Sequence, residues 1–151
     1  MEAPVSSHGA TAAIYPRPMP DHITIGAGLS MGGGEPVISD AVRSGGLLFL
    51  SGRAAVDPVT LEVVSDSFDE QVAVVFREIG EVLEAAGAGW SDVLRVECFL
   101  ADAGDFPAWN EAWCERFAPP RPARMTLVAG FAMTGILIEL QVTARVPGSA
   151  S

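Results

Sequence analysis

Residues Pro119 to Gln141, PPRPARMTLVAGFAMTGILIELQ, set one guanidinium and one carboxylate into two runs that otherwise read as strands joined by a Gly-containing connection. Arg124 follows a stiff Pro-Arg-Pro-Ala lead-in, and Glu139 is enclosed by Ile136, Leu137, Ile138 and Leu140. Any fold must bury that second run while giving the carboxylate something to do, because an unpaired buried charge is costly. Folding back symmetrically around Phe131 and Ala132 would set Arg124 and Glu139 opposite each other on antiparallel strands, within cross-strand reach. The guanidinium fork suits a substrate carboxylate bidentately. A carboxylate among apolar neighbours is suited to holding and deprotonating a water. The same pattern also fits a structural Arg–Glu pair, and the residues alone leave both readings open.

The rest of the chain supplies a scaffold for that segment. Val37 to Arg43 and Leu47 to Ser51 read as a hairpin turning at Ser44-Gly45-Gly46, with an earlier short strand near His22 to Ile25. The apolar run Leu47-Leu48-Phe49-Leu50 belongs in the middle of a sheet. Ser67 followed by Glu70 makes a capping box. Val72, Val75, Phe76, Ile79, Val82 and Leu83 then recur at helical spacing, and Gly87 closes the helix. Asp92 to Leu100 reads as a strand. A second helix begins near Asp105 with Pro107 in its first turn, runs through Trp109, Asn110, Trp113 and Phe117, and stops before Pro119. The shared helical spacing of Trp109, Trp113 and Phe117 favours packing over a ligand platform. The order implies an α+β domain, a single sheet with two helices packed on one face. The other face would be bare and apolar, and self-association with cyclic symmetry is the economical way to cover it.

Composition removes several chemistries. All nine cationic side chains are Arg and none is Lys, which excludes a Schiff base or a phosphate-loop lysine. A formal net charge of −10 opposes nucleic-acid binding. His8 and His22 both precede the core, so neither a zinc site nor a Ser–His–Asp triad has its ligands. Cys98, mid-strand, and Cys114, mid-helix, read as buried thiols. No stretch reads as an export signal or a membrane span, and the expected location is the cytoplasm. Residues 1–36 read as an N-terminal arm followed by a Gly-rich loop, residues 37–146 as the domain, and 147–151 as a tail. The glycines at 26–34 lack the spacing and the following helix of a dinucleotide fingerprint.

Several segments resemble the Rid family of reactive-intermediate deaminases, the YjgF-type proteins. They are Leu48-Phe49-Leu50-Ser51-Gly52, Val82 to Gly87, Asp105-Phe106-Pro107-Ala108-Trp109-Asn110, and Pro122-Ala123-Arg124 followed by Ile138-Glu139. The resemblance implies a chorismate-mutase-like fold assembled as a homotrimer with ligand clefts between subunits. It implies hydrolysis of small 2-enamino and 2-imino acids to 2-oxo acids and ammonia, with no cofactor and no metal. By position, Arg124 would hold the substrate carboxylate, Glu139 would serve the attacking water, and Ser51 and Asn110 would line the cleft. Ile38 stands where many active members carry a tyrosine, Thr126 where a cysteine often follows the arginine, and Met125 where a small polar residue lies. Those changes point to a more hydrophobic ligand. Two other readings stay beside the deaminase: a Rid-fold enzyme recruited to a dedicated pathway with a larger intermediate, and a non-catalytic trimer that binds a small carboxylate. Arg53 and Arg121 are candidate second carboxylate contacts.

Overall fold

A computed structural model describes residues 21–23 and 36–148. The arm, most of the Gly-rich loop and the last three residues lie outside them. Seven strand segments form one mixed sheet: β1 (Asp21–Ile23), β2 (Ala41–Ser44), β3 (Leu47–Leu50), β4 (Arg53–Ala54), β5 (Val93–Leu100), β6 (Ala123–Val128) and β7 (Ile138–Arg145). Their order is β1-β2-β3-β7-β5-β6, with β4 resuming the line of β3 farther along β7. Helices α1 (Phe68–Ala85) and α2 (Phe106–Arg116) complete the fold.

Local chemistry accounts for the elements. The hairpin β2–β3 turns on Gly45 and Gly46, both at positive φ (57° and 78°), the backbone that a two-residue turn matched to strand twist requires. The Ser67 side chain accepts from the Glu70 amide, as the capping box demands. The Glu70 carboxylate goes elsewhere, to the Ser65 hydroxyl, and Ser65 Oγ accepts from the Ser67 amide at 3.0 Å. Val72, Val75, Phe76, Ile79, Val82 and Leu83 are buried against the sheet. In β5 the register shifts between Val93 and Arg95, which bulges Leu94 outward. The bulge lets Val93 and Val96, three apart, both face the core.

Residues paired across a sheet share a face. Val96, Cys98 and Leu100 of β5 pair with Val142, Leu140 and Ile138 of β7, and all six are buried beneath the helices. Trp109 of α2 donates its indole N–H to Thr126 Oγ1 of β6 at 3.2 Å, which places α2 on this same face. The α+β architecture with two helices on one side is therefore as the sequence implies. The opposite face carries Phe49 and Leu127 exposed, with Val42, Phe99 and Met125 half-buried.

The hairpin expected from Arg124 to Glu139 does not form. β5 lies between β6 and β7, parallel to the first and antiparallel to the second. The helix between β5 and β6 is a crossover, and a crossover returns the chain parallel to the strand it left. The connection from β6 to β7 then wraps the end of β5, where Ala129 N donates to Leu100 O and Ala101 N to Leu137 O, each at 2.9 Å. Arg124 thus stands level with Val142, three residues beyond Glu139 and two strands away. Strand spacing and rise put their backbones roughly 14 Å apart. The cysteine reading also needs correction: Cys98 is buried, but Cys114 is exposed on the outer side of α2.

Candidate active site

The candidate residues fall into two groups, one on each face of the sheet. On the helix side, β6 presents Arg124 and Thr126 beneath α2. Phe106, Asn110 and Trp113 recur at helical spacing and so share one face of α2. The Arg124 guanidinium carbon lies 5.1 Å from the Trp113 ring centroid, 5.8 Å from Phe106 and 6.0 Å from Trp109. Three rings thus back the cation, and no ion pair joins Arg124 to a carboxylate among the described residues. Stacking fixes a guanidinium plane without consuming the N–H edges that would grip an anion. Thr126 has its oxygen occupied by the Trp109 indole. Asn110 is half-buried one residue beyond that tryptophan. Arg124, Thr126 and Asn110 are therefore brought together.

On the other face, Glu139 is half-buried, opposite Ala54 of β4 and Phe99 of β5. Its carboxylate leans over Gly52, so closely that a Cβ at position 52 would lie 2.3 Å from Glu139 Oε1. Gly52 is needed here for close approach. Ser51 Oγ donates to Ser39 O at 2.7 Å, and Ser51 N donates to Asp40 O at 3.0 Å. These bonds hold Ile38, exposed by 42%, next to the Ser51–Gly52 corner. Glu139, Ser51 and Ile38 form the second group; Gly52, part of the family-like segment Leu48 to Gly52 but given no role in the sequence, is the contact the fold adds.

Burial raises the Glu139 pKa above the ordinary carboxylate range, because the desolvated site disfavours the charged form. The sign for stability follows. Folded and unfolded chains both hold the proton below the unfolded value. As pH rises through the interval up to the raised folded value, the unfolded chain releases its proton first and stability falls. Glu139→Gln removes that loss. The variant's Tm should exceed wild type above this interval and the two should converge below about pH 4. Glu78, also raised by burial, is unchanged in both proteins and cancels from the comparison.

Of the other candidates, Arg53 pairs with Asp40, which is buried. Arg121 gives its Nε–H to Phe117 O at 2.9 Å. Trp109, Trp113 and Phe117 are buried as expected for packing, yet the first two also back Arg124, a role that helical spacing alone does not reveal. The Cys98 thiol, beside Thr126, is pushed up to about 12 by burial, so it is no nucleophile near neutral pH. Among the described residues no group of three or more His, Cys, Asp or Glu is placed to hold a metal ion. No helix among them is long and apolar enough to cross a membrane.

Comparison with known proteins shows the family. The family model described as endoribonuclease L-PSP matches residues 37–146. The chain is 36% identical over 106 residues to the chloroplastic Reactive Intermediate Deaminase A of Arabidopsis thaliana, covering 70% of this chain and 57% of that one. It is 37% identical over 89 residues to a 2-iminobutanoate/2-iminopropanoate deaminase of Dermatophagoides farinae, covering 59% and 70%. Its fold is similar to the crystal structure of RidA from an Antarctic Psychrobacter, with TM-score 0.72, 27% identity, and coverage of 83% and 99%.

Proposed function

Because this chain belongs to the endoribonuclease L-PSP family, the YjgF/Rid group, we propose that it is an enamine/imine deaminase that converts 2-imino acids to 2-oxo acids and ammonia. The observation that carries the reading is Arg124, an exposed guanidinium backed by three rings and in no ion pair with a described carboxylate. Enamines enter after tautomerisation to the imine. A substrate carboxylate takes two N–H bonds from Arg124. Glu139, in its ionised form, removes a proton from a water, whose oxygen adds to the imine carbon as the C=N π pair moves to nitrogen. Glu139 returns that proton to the nitrogen, which gives a carbinolamine. The carboxylate then takes the hydroxyl proton and passes it to the nitrogen as the C–N bond breaks, so that ammonia leaves as the carbonyl forms. Ser51 and Asn110 line the cleft, and Ile38 and Thr126 give it apolar and small walls. The chemistry calls on no cofactor.

Arg124 and Glu139 point to opposite faces of one sheet and cannot reach a common substrate within one chain. Cyclic self-association lets the Arg124 half of one copy meet the Glu139 half of the next. We assign this assembly as a chorismate-mutase-like homotrimer whose centre covers the face bearing Phe49 and Leu127. The relative from Dermatophagoides farinae is named for two short imino acids, which supports the substrate class here. A nuclease reading, prompted by the family's description, is opposed by the net charge of −10 and the absence of Lys. We place the enzyme in the cytoplasm.

The test is hydrolysis of 2-imino acids, small and bulky, generated in situ in competition with a trapping nucleophile. Wild type is expected to outcompete the trap. Stabilisation by 2-oxo acids with no turnover of any imine would identify a carboxylate-binding trimer instead. The same assay checks Gly52→Ala. Its methyl group would force the Glu139 carboxylate to move, and a displacement near 1 Å costs about tenfold to hundredfold in rate. A Gly52→Ala variant with full activity would detach Glu139's position from the chemistry.

A further inference from the structure

We infer that Arg53 is a positioning residue: its ion pair with buried Asp40 fixes the Ser51–Gly52 corner on which the Glu139 carboxylate rests. The inference rests on the deaminase reading, in which Glu139 serves the attacking water.

Arg53 does not share a sheet face with Glu139. It stands opposite Leu140 of β7, a buried residue, and so projects toward the helices, whereas Ala54 stands opposite Glu139. Its influence runs through the chain. Asp40 N donates to Ile23 O at 2.8 Å, and Asp40 O accepts from Ser51 N at 3.0 Å. The Asp40 carboxylate then takes the guanidinium of Arg53, two residues past Ser51. One residue thus holds the chain on both sides of Gly52, with its backbone before and its side chain after. Strand β4 is two residues long and pairs with β7, so the ion pair adds the tie between β4 and the start of β2. Between those two holds the Gly52 backbone abuts the Glu139 carboxylate with no room for a side chain. A shift of the corner is therefore a shift of the carboxylate.

Stability alone explains the pair poorly. A largely buried ion pair roughly breaks even against apolar residues of similar volume, because desolvation offsets the attraction. Here the balance is worse, since Arg53 Nε is buried with no hydrogen-bond partner among the described residues. Glu78 of α1 sets a second carboxylate near the same guanidinium. Burial raises the Glu78 pKa, Arg53 and then Arg77 draw it down, and Glu81 and Asp40 push it up. What the charged pair supplies and an apolar pair lacks is direction, a fixed bond between two points of the chain.

The experiment compares full-length wild type, Arg53→Gln, the amide pair Asp40→Asn/Arg53→Gln and the apolar pair Asp40→Leu/Arg53→Met. Each is followed by imine hydrolysis, a thermal melt and hydrogen exchange at the Ser51 amide. The apolar pair is expected to keep the wild-type Tm yet lose about tenfold to hundredfold in kcat, the cost of a displacement near 1 Å. Its KM should change little, because Arg124 still grips the substrate carboxylate. The amide pair restores a directed bond and should regain most of the kcat that Arg53→Gln loses. Wild-type kcat per folded molecule in the apolar pair or in Arg53→Gln would overturn the inference, since a merely structural pair moves only Tm. Equal kcat losses in Arg53→Gln and the amide pair would overturn it as well. If wild type turns over no imine, the deaminase reading itself fails, and exchange then decides the corner. Ser51 exchange about tenfold faster in the apolar pair would keep Arg53 as the residue that positions the corner, and unchanged exchange would remove it.

Discussion

Arg124→Ala is expected to lower kcat/KM for 2-imino acid hydrolysis by about 10²- to 10³-fold while the protein stays folded. The magnitude follows from two charge-assisted hydrogen bonds to the substrate carboxylate, together worth about 3 to 4 kcal/mol, with each 1.4 kcal/mol a factor of about ten. The fold should tolerate the change, since the side chain is exposed and its stacking on Trp113, Phe106 and Trp109 contributes only about 0.5–1 kcal/mol. Arg124→Lys should recover only part of the activity, because an ammonium keeps the charge but cannot present the two-pronged edge. Steady-state kinetics beside a circular dichroism melt separates the two effects. Unchanged turnover in Arg124→Ala would remove this residue from the mechanism.

The largest effect on stability is expected at Gln71, which is fully buried in α1. Its amide nitrogen donates to Ser65 O at 2.7 Å and Gly135 O at 2.8 Å, and its amide oxygen accepts from Leu137 N at 2.9 Å. One side chain thus ties the lead-in to α1 and the start of β7 to the helix. Gln71→Leu has nearly the same volume but strands three backbone groups. Each costs about 1–3 kcal/mol when left unpaired, and part of that is offset by the added apolar burial. The net loss should be about 3 kcal/mol, read as a lower urea midpoint at unchanged slope. A loss under about 1 kcal/mol would mean that water replaces the amide. Because Gln71 anchors the approach to Glu139, the surviving folded fraction should also show reduced activity.

Features set by contiguous residues were legible in the sequence. The Gly45-Gly46 turn, the Ser67 cap, the Pro107 first turn and the apolar stripe of α1 each depend on neighbours within a few positions. Pairings between distant segments were not. The alternation in β6 and β7 is compatible with a hairpin or with separation by a third strand, and only the helix between β5 and β6, read as a crossover, distinguishes the two. Gln71 carries no local signal, since its partners lie up to 66 positions away. The site candidates fell on positions that the fold does gather, but into two groups rather than one. Arg124, Thr126 and Asn110 stand on one face, and Glu139, Ser51 and Ile38 on the other. Single-strand patterns say which side of a strand a residue occupies, not which neighbour it will face. The ring bed under Arg124 was hidden for the same reason: the spacing of Trp109 and Trp113 is that of core packing, and packing is also what they do.

The measurement that bears most directly on this account is complementation between two impaired variants. Arg124→Ala and Glu139→Gln are each expected to retain about 1% of wild-type turnover or less alone. Co-expressed, they should form mixed oligomers in which an intact Arg124 from one copy faces an intact Glu139 from its neighbour. Random mixing in a closed ring gives roughly a quarter of the interfaces that composition, and a corresponding share of wild-type turnover should return. No activity in verified mixed oligomers, with wild type active, would contradict a site shared between copies.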